Sequence, residues 1–450
     1  MTDLVTHRSD DELRVAYSYG LAHLLNLRER SALKFKKRFP TYESWSRLAP
    51  SERGEAARSA LDDESSRMIT LNFDAVIDRA FVDVKKHERE GIRLFSIDSC
   101  EYPLLLKQII DPPLVLFVKG SIEAVSGNSN VAVVGTRDAT PVGEKVAARV
   151  AKWLGEVGWC VVSGLAKGID SAAHRGIIEM GGRTAAVMAM PLNKIYPAEN
   201  SQLAREILEH GGCWIGELPL WKKAHRGSFV TRDRLQSGMS VAVIPVQTDI
   251  EGGTMHTVRY AEMQSRLILC PRPIENGQFP KQYAGIIHLI ESGRAVPFSN
   301  NEYAAILGFL SERREVLLKS CGMERSGQVI TDRAANDLEV PEQRPMNELA
   351  GESESKVQPV QGELGFLDEP LKGKPKKKTG KKEREIQLRF LEQLYDELSD
   401  AKRPDGGKVS NVDDLRLWLE GKLMTLRGNE LGDSATGVKE KKSRANGSNS

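Results

Sequence analysis

NVAVVGTRDATPVGEKVAARVAKWLGEVGWCVVSGLAKGID, residues 130–170, is the stretch that decides the fold. An apolar run, Val131 to Val134, stops at Gly135, and a helical pattern follows in which Val142, Val146, Val150 and Leu154 recur every fourth residue. A second apolar run, Trp159 to Val162, ends at Ser163-Gly164. Strand, turn, helix, strand is a βαβ unit, and near-continuous apolar strands of this kind belong to a parallel sheet covered on both faces. In such sheets ligands bind outside the carboxyl ends of the strands, where helix N-termini point. Both turns at that edge, GTR (135–137) and SGLAKGID (163–170), combine small residues with a cation, Arg137 or Lys167. Small residues let a backbone approach a ligand, and free amides beside a guanidinium or ammonium suit an anion such as phosphate.

The turn after Val134 is not a GxGxxG fingerprint, because Thr136 and Arg137 follow Gly135, and no GxxxxGK[ST] occurs anywhere in the chain. Taken singly, Gly135 and Gly164 also read as ordinary turns between strand and helix.

Working outward, further strands are predicted at 184–189, 213–216, 240–246 and 266–270, with helices near 142–156, 170–180, 200–210, 231–238 and 255–264. This alternation predicts a doubly wound, mostly parallel α/β sheet of the Rossmann-like kind over 130–295. Residues 1–90 read as an N-terminal helical domain, with Leu13, Tyr17 and Leu21 on one face. Residues 91–129 form a bridging segment with strands at 92–95 and 114–119, and 296–324 a helical extension carrying Ile306, Leu310 and Leu317. From 325 to 382 the chain is polar and rich in Pro, Gly, Glu and Lys, a flexible-linker composition that ends in the cationic block KGKPKKKTGKKER (372–384). That block reads as a solvated tether or as a sequence-independent phosphate contact. A small C-terminal helical module is predicted over 383–430, and a disordered tail over 431–450.

Composition narrows the class. The 450 residues are 40% hydrophobic and 28% charged with a net charge of +2, values of a soluble protein of two or three domains. No apolar run approaches the ~20 residues that span a bilayer, and the first residues lack a signal-peptide pattern, so the expectation is a cytoplasmic protein without a membrane partner. The five cysteines are odd in number, scattered and without a CxxC pair, which argues against a metal site. No cofactor motif is present.

Six segments together resemble the DNA-processing protein A (DprA/Smf) family: EYPLLLKQIIDPPLVLFVKG (101–120), VAVVGTR, VVSGLAKGIDSAAHRG, IYPAENSQLAREI (195–207), FVTRDRLQSGMSVAVIPV (229–246) and GGTMHTVRYA (252–261). The resemblance implies a Rossmann-like domain that binds single-stranded DNA without catalysis, protects the strand and hands it to a RecA-type recombinase; a homodimer is compatible with it. It also implies a helix-hairpin-helix unit near the N-terminus, but AHLLNLRERSALKFKKRF (22–39) lacks the glycine such a hairpin uses to contact DNA. The usual winged-helix pattern is missing from the C-terminal end.

Four clusters are candidate nucleic-acid contacts: Gly135, Thr136 and Arg137; Gly164, Lys167 and Gly168, with Asp170 as a helix cap; Phe229, Arg232 and Arg234; and Gly253, Thr254 and Arg259 beside Gly252. An aromatic ring beside guanidiniums suits a single strand, because bases stack on the ring while the cations track phosphates. Asp233 stands between the two arginines where the family usually has Asn, placing a carboxylate near the phosphate path. The competing readings are that Arg232 and Arg234 are plain surface cations and Phe229 a core residue. Ser163, Asp170 and His174 superficially suggest a hydrolytic triad, but an Asp and a His one helical turn apart do not hold that geometry. EGGTMHTVR (251–259) falls short of the PGGxGTxxE motif of nucleoside-phosphate phosphoribohydrolases, since Arg259 stands in place of the acid. A nucleotide-sensing domain and an interaction scaffold are the alternatives to strand binding.

Overall fold

A computed structural model describes residues 9–320, apart from 26, 28 and 274–279. The linker, basic block, C-terminal module and tail expected beyond residue 324 lie outside the described residues.

The chain opens with helices at Asp10–Tyr19, Glu29–Arg38, Tyr42–Ser46, Pro50–Arg58 and Asp63–Arg89, the first running on into a π-helical turn at Gly20–Leu24. Ser9 starts the first helix, its hydroxyl accepting from the Glu12 amide while the Glu12 carboxylate accepts from the Ser9 amide, a reciprocal arrangement that satisfies two otherwise orphaned donors. Tyr17, Phe35, Trp45 and Phe73 meet at tilted or edge-on angles in the centre of these helices, the geometry aromatic rings prefer.

Nine strands follow: β1 Arg93–Ser96, β2 Val115–Gly120, β3 Asn130–Val134, β4 Cys160–Ser163, β5 Thr184–Val187, β6 Cys213–Gly216, β7 Ala242–Pro245, β8 Leu267–Pro271 and β9 Val296–Phe298. They form one sheet in the order β1-β2-β6-β5-β4-β3-β7-β8-β9. The seven strands from β6 to β9 run parallel, and the hairpin of β1 and β2 joins β6 antiparallel. This is the doubly wound α/β architecture expected from the sequence.

Period-two alternation explains why β3 has no polar face. Val131 and Val133 point into one core, with Val150, Leu154 and Ile177 of the helices Pro141–Glu156 and Ile169–Glu179. Ala132 and Val134 point into the other, with Leu203, Leu235 and Val258 of the helices Ser201–Glu209, Arg226–Gly238 and Thr254–Met263. Both faces are covered, so every β3 side chain is buried, and a fully buried Val or Leu is worth about 1.5–3 kcal/mol over exposure. Helix Tyr303–Lys319 adds Ile306, Leu310 and Leu317 to the first of these cores. No helix among the described residues is long and apolar enough to cross a membrane. Cys160, Cys213 and Cys270 are buried free thiols, and burial pushes the Cys160 thiol up to about 12.

Candidate nucleic-acid interface

β3 and β7 are neighbours in the sheet, but the chain leaves their carboxyl ends toward opposite faces: Pro141–Glu156 packs on one core and Thr254–Met263 on the other. The strand order therefore reverses at this point, which opens a crevice between the two exit loops. The crevice holds about 450 Å³ and is lined by Gly135, Arg137, Phe229, Asp233, Gly253 and Thr254, among others.

The loop after β3 is fixed from β7. The Thr136 amide donates to the Gln247 carbonyl at 2.8 Å. The Gln247 side chain accepts from the Thr140 amide at 2.9 Å and donates to the Thr140 hydroxyl at 2.8 Å. Thr140 in turn caps helix Pro141–Glu156 by accepting from the Gly143 amide at 3.1 Å. Held at both ends, the turn leaves Arg137 exposed and without an ion pair among the described residues. Its guanidinium lies 5.7 Å from the centre of the Phe229 ring, and the Phe229 ring meets Tyr196 edge-on at 5.6 Å. A cation over an aromatic face, with a second ring beside it, is a surface on which a base can stack while its phosphate is held.

The loop after β4 is set by two glycines. Gly168 has φ +73, and a Cβ there would meet the Thr136 carbonyl oxygen at 2.6 Å, so the second loop lies directly on the first. At Gly164 a Cβ would fall 1.7 Å from Arg232 Nη1 and 2.8 Å from Asp170 Oδ2. Asp170 does not cap its helix as expected; its Oδ2 accepts from the amides of Gly164 at 3.1 Å and Ala166 at 3.4 Å, holding the loop instead. Lys167 is exposed at the rim, paired with Glu199.

Helix Arg226–Gly238 starts five residues earlier than predicted, because the His225 ring accepts from the Gly227 amide and Ser228 closes the reciprocal bond to His225. This puts Phe229, Arg232, Asp233 and Arg234 on one helix, and the aromatic ring and the two arginines separate in role. Phe229 is half-buried at the crevice wall. Arg232 is 7% exposed, donates to the Val187 carbonyl at 3.1 Å and stands 3.3 Å from Asp233. Arg234 is placed elsewhere than the sequence suggests: it is 1% exposed and bonds Asp111 at 3.2 Å and Glu217 at 2.8 Å. A guanidinium enclosed by two carboxylates holds the bridging segment to the helix and offers nothing to a strand. Arg259 is exposed, more than a turn into helix Thr254–Met263, and does not line the crevice. Gly253 and Thr254 do, at that helix's start.

The crevice floor therefore carries an Asp170–Arg232–Asp233 group. Burial pushes the Asp170 carboxyl up against the opposing pull of Arg232. Burial likewise raises Asp233 to about 6; Arg232 and Arg137 oppose the rise and Asp170 adds to it. The apparent triad dissolves: Ser163 Oγ donates to the Val133 carbonyl at 2.7 Å, and His174 bonds Thr184 at 2.8 Å. Burial holds His174 at about 3, a neutral core residue. Among the described residues no group of His, Cys, Asp and Glu could hold a metal ion.

Sequence reasoning missed Tyr196, which sat inside a quoted motif but in no periodic pattern. It also missed Lys222 and Lys223 in the loop after β6 and Arg226 at the start of the Phe229 helix, all exposed and without ion pairs among the described residues. The doubled lysine after Trp221 was the available signal.

The family model described as DNA recombination-mediator protein A matches residues 93–307. The DNA processing protein DprA of Bacillus subtilis is 37% identical over 207 residues, covering 46% of this chain and 68% of that one. Protein Smf of Synechocystis is 32% identical over 231 residues, covering 51% of this chain and 57% of that one. In three dimensions the chain is similar to the X-ray structure of DNA processing protein A from Streptococcus pneumoniae, with a TM-score of 0.52, 25% identity, and coverage of 64% of this chain and 97% of that one.

Proposed function

Since the chain belongs to the DNA processing protein A (DprA/Smf) family, we propose that the crevice between β3 and β7 binds single-stranded DNA. The observation that carries this reading is the exposed, unpaired Arg137 guanidinium over the half-buried Phe229 ring at the reversal of strand order. The guanidinium takes a phosphate in two-point fashion, and the rings of Phe229 and Tyr196 take bases at ~1–3 kcal/mol each. The backbone around Gly135, Gly253 and Thr254 lines the approach, while the Gly164 amide is taken by Asp170 and Gly168 lets the second loop lie on the first; Lys167 reaches the strand once released from Glu199. None of these groups distinguishes one base from another, so binding is expected to be largely independent of sequence. A duplex, with its bases stacked inside, cannot use the rings.

The protein acts on this reading as a binder and not an enzyme. Ser163 and His174 of the apparent triad are engaged with Val133 and Thr184, so that triad supplies no activated nucleophile. Delivery of the bound strand to a RecA-type recombinase, and action in the cytoplasm, are further parts of the proposal that rest on family membership. The test is a gel shift of the full chain with single-stranded DNA, duplex DNA of the same sequence, and labelled mononucleotides. Tightest binding to the single strand, weakening steeply with salt as counterions are released, is the expected result. Equal or tighter binding to blunt duplex rejects the proposal.

A further inference from the structure

Trp221 plays no part in the crevice, and its surroundings are unusual for an exposed indole. It lies in the loop that leaves the carboxyl end of β6, and 55% of it is exposed. Tryptophan is enriched at interfaces, where part of the ring is covered and part is wet. Its ring is nonetheless held in place. The indole Nε1–H donates to the hydroxyl of buried Tyr19 at 3.1 Å, and the preceding Leu220 amide donates to Nε2 of buried His87 at 3.0 Å. The Lys222 amide closes a turn onto the Pro219 carbonyl at 3.0 Å. One edge of the ring is thus anchored to the N-terminal helices while the rest stands in solvent. Lys222 and Lys223 follow it in the loop and Arg226 opens the next helix, all exposed and free of ion pairs among the described residues.

Position supplies the second part of the argument. Of the large apolar side chains that stand exposed among the described residues, two are aromatic, Trp221 and Tyr196. They emerge from the loops after β6 and β5, adjacent strands with their carboxyl ends on one edge. Tyr196 already touches Phe229 at the crevice. The sheet order β6-β5-β4-β3 separates the Trp221 loop from the Arg137 loop by three strand spacings, roughly 14 Å at about 4.8 Å each. About four stacked nucleotides at 3.4 Å cover that distance.

We propose that Trp221 is a second base-stacking surface, which extends the single-strand path from the crevice, past Phe229 and Tyr196, to the loop after β6. This deepens the single-strand reading and rests on it. A rigidly anchored ring loses little conformational freedom when a base stacks on it, and the three free cations beside it match the charge of a strand's phosphates. The same cations disfavour a purely apolar protein partner.

The test uses the full chain, with fluorescence anisotropy of labelled dT2 and dT16, on Trp221→Ala, Trp221→Phe and Arg137→Ala. A dinucleotide seated in the crevice is too short for the span of about four nucleotides to Trp221; a sixteen-mer covers it. Trp221→Ala is expected to weaken dT16 about tenfold, a typical loss for one stacked base, and to leave dT2 within twofold. Trp221→Phe, which keeps a ring, should recover most of the dT16 affinity, and thermal unfolding should show all variants folded. Unchanged dT16 affinity in Trp221→Ala overturns the proposal and makes the indole a contact for something other than DNA. An equal loss for dT2 and dT16 also overturns it, because the change would then act through the loop's structure. Arg137→Ala separates the two levels. If it weakens both oligonucleotides while Trp221→Ala weakens neither, the crevice stands and only the extended path falls; if it weakens neither, the crevice reading itself is wrong.

Discussion

Replacing Arg137 by Ala removes the one crevice guanidinium that is both exposed and unpaired among the described residues. In the free protein its contacts are few: a ring at 5.7 Å and solvent. An exposed cation–π contact is worth ~0.5–1 kcal/mol, so the variant should unfold within a few degrees of the parent. Bound DNA changes the sum. A hydrogen bond to a charged group contributes ~1.5–3 kcal/mol, which at about 1.4 kcal/mol per decade predicts a loss of roughly tenfold to a hundredfold in single-strand affinity. The loss of one phosphate contact should also reduce the slope of log affinity against log salt by roughly 0.7. Arg137→Lys keeps the charge but not the planar fork, so it should restore the salt slope and only part of the affinity. Anisotropy titrations at three salt concentrations, with thermal melts on the same samples, measure all of this. A folded Arg137→Ala protein with the parent's affinity and salt slope would refute the placement of phosphate at this turn.

Four more variants have expected outcomes. Glu199→Gln releases Lys167 from an exposed pair worth ~0.2–1 kcal/mol, and should tighten single-strand binding up to about fivefold; weaker binding would show that Lys167 faces elsewhere. Asp233 sits between Arg232 and the crevice with its carboxyl raised to about 6. Below that pH it is neutral in the folded protein; above it a negative charge faces the phosphate path, so affinity should fall as pH rises through about 6, and Asp233→Asn should flatten the profile. The same raised carboxyl means that its contribution to folding stability is fully present below the ordinary Asp range near 4 and is lost by about pH 6, which denaturant titrations at pH 4, 5 and 7 on parent and Asp233→Asn would detect. Gly168→Ala puts a side chain at φ +73 and within 2.6 Å of the Thr136 carbonyl; it should destabilise by at least about 1 kcal/mol, and a protein with unchanged melting would contradict the loop geometry. Removing residues 372–450 should leave the transition of the α/β sheet in place, because linker composition predicts few contacts across the boundary, and its disappearance in a melt would move that boundary.

The parallel sheet was legible in the sequence because burial on both faces leaves its mark on consecutive residues. Val131 to Val134 could be an internal strand or nothing, and the four-residue recurrence from Val142 to Leu154 could only be a helix over it. Local rules also located the two turns, since Gly135 and Gly164 end apolar runs. Sequence could not say which cations near those turns would remain free. Arg232 and Arg234 sit two residues apart on a helix, and their fates depend on groups far away in the chain: Val187 for one, Asp111 and Glu217 for the other. Arg137 stayed exposed because its turn is tied to Gln247, 110 residues on, by backbone and not by its own side chain. Local composition sets which segments become strands and helices. Long-range packing alone decides which charges are neutralised inside the fold and which are left for a ligand.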